Sequence, residues 1–215
     1  MHSQGQAPRP SNRASMPATD DEIREKYLER AIRELNGFAR ELQSCPHCPR
    51  GQLMPVLGSG HPQADVFLIK HSARPSEIEE GVAFYGRAGT ALTKSLRRLA
   101  IDPLAVYGTL CVKCPVPDPA LADPACVSRL AEEIAIVQPK IIVVMGPEAL
   151  AVVSELDVPL RLELKPESGI QRFTPTIDAL YVPNIDDSLD EEGAKRQFWA
   201  AFRVLGQWWA DLPPY

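Results

Sequence analysis

The chain has 215 residues, 45% of them hydrophobic and 24% charged, and its formal net charge is −5. These values are typical of one globular domain, and they exclude a uniformly basic nucleic-acid-binding protein. No apolar run approaches the roughly 20 residues of a membrane span, and the first residues lack the pattern of a signal peptide. We therefore expect a cytoplasmic monomer with no membrane partner, in which the cysteines are ligands, redox groups or core residues.

The start of the chain differs in composition from the remainder. Residues 1–18 are rich in Ser, Pro, Gln, Arg and Asn, which predicts a disordered tail. One folded domain is predicted over residues 19–215. It begins at Thr19, which has the spacing of a helix capping box with Glu22. Apolar residues then recur every three or four positions, which predicts an amphipathic helix to about residue 43.

Predicted strands and helices alternate along the rest of the chain. Continuous apolar runs predict buried strands at residues 65–69, 105–112, 140–146 and 179–182. Helical periodicity predicts helices at residues 90–100, at 125–137, from 147 onward and at 189–210, and residues 71–80 and 157–176 are predicted to be irregular. This alternation predicts an α/β fold with a parallel sheet covered by helices on both faces.

The cysteines allow three interpretations. They form two C-x-x-C pairs, at residues 45–48 and 111–114, and Cys126 stands alone. A redox pair places its first thiol at a helix N-terminus, whereas residues 45–48 follow a helix, which argues against thiol–disulfide chemistry. A zinc site made of the two pairs is possible, although they lie much farther apart than in a zinc ribbon. In the third interpretation Cys126 replaces Cys111, a candidate core residue, in an iron–sulfur cluster.

Three further motifs accompany the cysteines. They are Phe-Tyr-Gly-Arg-Ala-Gly at residues 84–89, Val-Lys-Cys-Pro at 112–115, and Gln-Pro-Lys followed by an apolar strand at 138–146. With the cysteines, they resemble the iron–sulfur type of uracil-DNA glycosylase, usually called family 4, over most of the chain. The resemblance implies a three-layer αβα sandwich with a central four-stranded parallel sheet, and a cleft for a flipped base.

The same resemblance implies the cofactor and the partner. The partner is DNA, and the cofactor is a [4Fe–4S] cluster, with zinc as the alternative metal. The implied ligands are Cys45, Cys48, Cys114 and Cys126.

The active positions of this family are largely altered in the chain. Phe84 matches the aromatic residue on which the flipped base stacks. His71 replaces the water-positioning Glu, Leu110 the base-reading Asn, and Val182 the His that stabilises charge on the base. An aliphatic side chain offers neither donor nor acceptor, and one lost charge-stabilising donor costs about 10²–10³ in rate. We therefore expect weakened or lost uracil excision in a pocket that also includes Asn184.

Three functional hypotheses follow. The first is an iron–sulfur member of the superfamily, related to DNA repair, that binds DNA but has altered uracil chemistry. The second is an active N-glycosylase on another damaged base, with His71 as general base assisted by Asp186, Asp187 or Asn184. The third is a non-catalytic scaffold or partner-binding module.

Two groups of residues belong to these hypotheses. Candidate phosphate contacts are the basic residues near the predicted cleft, namely Lys70, Arg74, Arg87, Lys113 and Arg172. Candidate partner-binding residues are the aromatic side chains of the last helix, namely Phe198, Trp199, Phe202, Trp208 and Trp209.

Overall fold

The computed structural model describes residues 19–213, so the predicted tail at residues 1–18 lies outside the described residues. The helices are α1 (Asp20–Ser44), α2 (Pro75–Glu80), α3 (Arg87–Arg98), α4 (Pro124–Val137), α5 (Pro147–Glu155), α6 (Ile185–Ser188) and α7 (Glu192–Ala210). The strands are β1 (Ser59–Gly60), β2 (Val66–Lys70), β3 (Val106–Leu110), β4 (Ile141–Met145), β5 (Ile170–Arg172) and β6 (Asp178–Val182). Short 3-10 helices cover Pro103–Ala105 and Pro119–Leu121.

All six strands form one sheet in the order β1-β3-β2-β4-β6-β5. The four central strands are parallel, which confirms the predicted parallel sheet. The edge strands β1 and β5 are short and antiparallel. The sequence did not predict β5 because its three residues are exposed or half-buried and form no apolar run.

Each face of the sheet has its own hydrophobic core, which confirms the three-layer αβα arrangement. On one face, Leu68 and Val143 pack in a cluster that includes Leu92 of α3 and Phe202 of α7. The opposite face packs against residues of α4 and α5 in a second cluster. Because strand side chains alternate between faces, continuous apolar strands are what a sheet covered on both sides requires.

Hydrogen bonds of capping residues fix where the helices α1 and α2 begin. The predicted capping box is present, with the Glu22 amide donating to Thr19 Oγ1 and the Thr19 amide to Glu22 Oε2. The predicted loop at 71–80 instead contains α2, which starts at a proline and has Glu77 bonded to the amide of Arg74. Within residues 19–213, no helix is long and apolar enough to cross a membrane.

Candidate metal centre and active-site region

Three cysteine thiols meet at one end of the molecule. The Sγ atoms of Cys48, Cys114 and Cys126 lie within 4.8 Å of one another, and all three residues are buried. Cys48 follows α1, Cys114 follows β3, and Cys126 lies in the first turn of α4. Three thiols at this separation form a donor set suited to a thiophilic metal centre.

Hydrogen bonds hold these thiols in place. The Asp123 amide donates to Cys48 Sγ at 3.4 Å, and Asp123 also caps α4 through the Ala125 amide. Hydrogen bonding with Cys114 and with two backbone amides lowers the pKa of Cys126 to about 5, whereas burial raises the pKa of Cys48. The same hydrogen bond raises the pKa of Cys114, so within this pair ionisation is favoured at Cys126, and a thiolate is the form that can bind metal.

The other two cysteines lie outside this three-thiol group. Cys45 is half-buried at the C-terminal cap of α1, three residues before Cys48. Cys111 is fully buried in the core beneath α4, where burial raises its thiol pKa to about 12. Such a thiol is a small core side chain rather than a reactive group.

Lys113 lies in the loop after β3, immediately before Cys114 of the three-thiol group. Its Nζ is 2.8 Å from Glu133 Oε2 and donates to Thr109 Oγ1 at 3.0 Å and to the Leu110 carbonyl at 2.7 Å. The other oxygen of Glu133 accepts from the Tyr107 hydroxyl at 2.7 Å. Since Lys113 is 0% exposed, the prediction that it contacts DNA is wrong. A lysine in a C-x-K-C loop looks solvent-facing in the sequence, and only the fold brings Glu133 to it.

The carboxyl edge of the parallel sheet is a packed row. Leu110, Lys70, Met145 and Val182 are the last residues of their strands and are neighbours in register. Each is at most 1% exposed. Leu110 and Val182, which the sequence resemblance matched to the base-reading and charge-stabilising positions, are therefore buried and apolar at this edge of the sheet.

Lys70 is the one charged side chain of this row. Its Nζ lies 2.7 Å from Glu77 Oε2 and 2.9 Å from Asp186 Oδ2, so it joins α2 to α6 across the sheet edge. The same Nζ is 5.5 Å from the centroid of the Phe84 ring. Because Lys70 is buried in this ion pair, the prediction that it contacts phosphates is also wrong.

Phe84, the candidate stacking residue, is held tightly and is 7% exposed. Its φ is 59°, and its amide donates to Glu77 Oε1 at 2.5 Å. A Cβ on Gly108 would lie 2.6 Å from the ring, and one on Gly89 would lie 1.9 Å from the Phe84 carbonyl oxygen. The last glycine of Gly-Arg-Ala-Gly is thus required by the close approach of the Phe84 backbone.

His71 lies beside the packed row, in a separate cavity of about 340 Å³. The cavity is lined by Lys70, His71, Ser72, Arg74, Pro147, Glu148, Asn184, Asp186 and Asp187. The structure therefore brings His71 together with Asn184, Asp186 and Asp187, the residues grouped with it in the second hypothesis. Burial lowers the pKa of His71, and the charge of Glu148 opposes this effect.

The remaining candidate phosphate contacts are dispersed over the surface. Arg74 is exposed at the start of α2, and Arg172 pairs with Asp178 on the edge strand β5. Arg87 lies in a groove of about 660 Å³ between α3 and α7. Four basic side chains line this groove, namely Arg87, Lys94, Arg98 and Lys195.

Sequence reasoning missed three residues of this region and the pairing role of a fourth. Glu77, Glu133, Glu148 and the pairing role of Lys70 became visible only in the fold. A lysine that ends an otherwise apolar strand was the available signal for Lys70, because a buried cation needs a carboxylate partner.

The parallel sheet covered by helices and the buried three-thiol group together show the class of this protein. It is an α/β protein with a candidate metal centre. The profile of the Uracil DNA glycosylase superfamily matches residues 57–202, more than half of the chain. This chain belongs to that superfamily.

The chain is also similar to curated proteins named type-4 uracil-DNA glycosylase. It is 34% identical to the protein from Sulfurisphaera tokodaii over 119 residues, which is 52% of this chain and 54% of the relative. The protein from Pyrobaculum aerophilum is 31% identical over 49% of this chain and 57% of the relative. The protein from Thermotoga maritima is 30% identical over 58% of this chain and 67% of the relative. The matched region thus spans little more than half of the first two relatives.

Proposed function

We propose that this protein is a DNA-binding iron–sulfur member of the superfamily that has lost uracil excision. The observation that carries the proposal is the packed row at the sheet edge, in which Leu110 is buried next to Lys70 and its ion pair, and Val182 is buried next to Met145. A flipped uracil needs an open pocket with an amide reader and a donor for its oxygen, and one lost donor costs about 10²–10³ in rate. Because Leu110 and Val182 are both aliphatic and Lys70 lies beside Phe84, we expect this region neither to bind a flipped uracil nor to stabilise charge on it.

The loss of excision has a direct test. Single- and double-stranded DNA containing one uracil is incubated with this protein and, in parallel, with a type-4 uracil-DNA glycosylase. We expect no abasic product above background from this protein. Excision at a rate similar to that of the type-4 enzyme would contradict the proposal.

The cluster is proposed to bind to the three-thiol group together with Cys45, which lies three residues before Cys48 at the C-terminal cap of α1. Thiolates are the usual ligands of [4Fe–4S] clusters. When bound, the cluster would link the end of α1 to the loop that precedes α4. Protein purified without oxygen should contain about four irons and four sulfides per chain and be brown.

Two cysteine variants test the ligand assignment. Cys126→Ala should lose the iron, whereas Cys111→Ala, a matched change of a buried cysteine outside the group, should retain it. A colourless wild-type protein with about one zinc per chain would favour the zinc alternative.

The DNA role is supported by the basic groove between α3 and α7. Although the net charge is −5, phosphate binding requires only a local cluster of cations.

Binding to a fluorescent duplex should weaken as salt is raised. The double variant Lys94→Gln, Arg98→Gln should reduce the salt dependence by about two phosphate contacts. The exposed pair Arg24→Gln, Arg33→Gln on α1 is the control, and no binding at low salt would remove the DNA role.

A second candidate function is N-glycosylase activity on another damaged base. The observation in its favour is the cavity in which His71 stands beside Asn184 and Asp186. A neutral imidazole can accept a proton from water near neutral pH. Base release from a panel of damaged duplexes should then depend on His71, and unchanged release by His71→Ala would contradict this role.

The scaffold hypothesis gains less support. Phe198 and Phe202 are buried in the core, and Trp208 donates its Nε1–H to Asp178 at 2.8 Å. Most of this aromatic group therefore packs inside the domain rather than forming a free surface.

A further inference from the structure

The cavity beside His71 is acidic. Three carboxylates line it, those of Glu148, Asp186 and Asp187. The positive charge of Lys70 is offset by its two carboxylate partners, Glu77 and Asp186. Arg74 is the other cation of the lining, so carboxylates outnumber cations around this space. Unmodified DNA carries only negative charge at its backbone and none on its bases, and it offers such a cavity no charge partner.

One carboxylate oxygen of a residue that lines the cavity is buried and has no hydrogen-bond partner among residues 19–213. Asp186 is 7% exposed, and within residues 19–213 its Oδ1 makes no hydrogen bond, whereas its Oδ2 accepts from Lys70. A buried acceptor is normally satisfied, and leaving one unpaired is unfavourable. Asp186 lines the cavity, so a ligand that brings a donor or a positive charge would satisfy this acceptor once the side chain turns its Oδ1 toward the ligand.

The imidazole of His71 does not repel a positively charged ligand. Burial lowers the pKa of its imidazole, so the ring is mainly neutral at pH 7. A neutral ring does not repel a positive ligand, and its free nitrogen can take a proton.

We propose that this cavity receives a nucleobase that carries a positive charge, as N-alkylated bases do. The inference rests on the proposed function, since it requires that the protein binds DNA. A volume of about 340 Å³ accommodates one base rather than a longer segment of DNA. The carboxylates of Asp186 and Glu148 attract the charge, and neutral bases lack this interaction.

Such a base also fits the changes at the neighbouring positions. When its glycosidic bond breaks, the bonding electrons stay on the base nitrogen and cancel the positive charge, so a neutral base departs. A donor at the position of Val182 is then unnecessary, because no negative charge develops on the base. Water adds its hydroxyl to C1′ of the sugar and gives its other proton to His71, which balances atoms and charge.

The test separates charge from shape. Three fluorescent duplexes differ at one position, which carries guanine, cationic N7-methylguanine, or 7-methyl-7-deazaguanine, a neutral base of the same shape. Binding to the holoprotein is measured by anisotropy at fixed salt. The cationic duplex should bind about tenfold tighter than both others, the usual size of a charge-assisted hydrogen bond.

Variants tie the preference to the cavity. Asp186→Asn should abolish the preference for the cationic duplex. Because Asp186 also pairs with Lys70, Glu148→Gln, an exposed residue of the lining, provides a second variant, which should reduce the preference several-fold. Glu29→Gln on the exposed surface of α1 is the control and should retain the full preference.

The outcomes distinguish this inference from the proposed function. Equal affinity for the cationic and the neutral methylated duplexes, with DNA binding intact, would overturn the cationic-base inference alone. No binding to any duplex at low salt would overturn both. A preference that survives in Asp186→Asn and Glu148→Gln would also overturn the assignment, since it would place the charge recognition elsewhere.

Discussion

Lys70 is a buried cation between two buried carboxylates, and its removal would leave those carboxylates uncompensated. We expect Lys70→Met to lower the free energy of unfolding by about 3–5 kcal/mol, the usual cost of breaking a buried ion pair from one side. Lys195→Met, at an exposed position on α7, should change it by less than about 0.5 kcal/mol. Urea denaturation of both variants measures the difference. Equal stabilities would show that the pair contributes little.

His71 gives a pH dependence with a defined sign. Its pKa is lower in the folded protein than the unfolded value of about 6.5. Below that value the unfolded chain binds the proton more readily, so stability is lost as the pH falls. We expect the wild type to lose more stability than His71→Gln between about pH 7 and pH 5. Parallel pH profiles of the two proteins would contradict the shift.

At the scale of elements, the ring of Phe84 packs directly against the backbone of β3 at Gly108. Because a Cβ on Gly108 would lie 2.6 Å from the Phe84 ring, Gly108→Ala must displace the ring or the strand. We expect a loss of about 1–3 kcal/mol, as for other overpacked cores.

A second glycine provides the matched control. Gly37 lies inside α1, and a Cβ there would meet nothing within 4 Å. Gly37→Ala should therefore raise stability by about 0.5–1 kcal/mol. Thermal unfolding of the two variants should shift in opposite directions, and a stabilised Gly108→Ala would contradict the packing described.

The main elements were predictable because each leaves a local pattern. The four parallel strands are apolar runs, and the capping box of α1 lies within four residues. The Lys70 pair leaves no such pattern, since Lys70 and Asp186 are 116 positions apart. Lys113 was misassigned for the same reason, because Glu133 reaches it only when α4 packs on the sheet. Pairing between distant charges depends on tertiary structure.

At the scale of the whole molecule, the proposed metal would hold in place a loop that has little core of its own. The three-thiol group packs only against Val116 and Ala122 among partly buried apolar residues of the described chain. Loss of the metal should therefore release the segment between β3 and α4 while leaving the sheet folded.

Limited chymotrypsin digestion measures this release. Leu121 lies in that segment and is 55% exposed, whereas Leu160 is 74% exposed outside it. Metal removal should accelerate cleavage at Leu121 and leave cleavage at Leu160 unchanged. Equal acceleration at both sites would indicate general unfolding instead.

The ion pair of Lys70 also constrains how this protein could change its activity over time. A substitution that shortened Lys70 would open space near Phe84. It would also leave the carboxylates of Glu77 and Asp186 buried without a charge partner. The shortening of Lys70 would therefore be tolerated only together with at least one more substitution that removes the uncompensated negative charge. The buried pair would therefore make the proposed loss of uracil excision difficult to reverse by a single substitution.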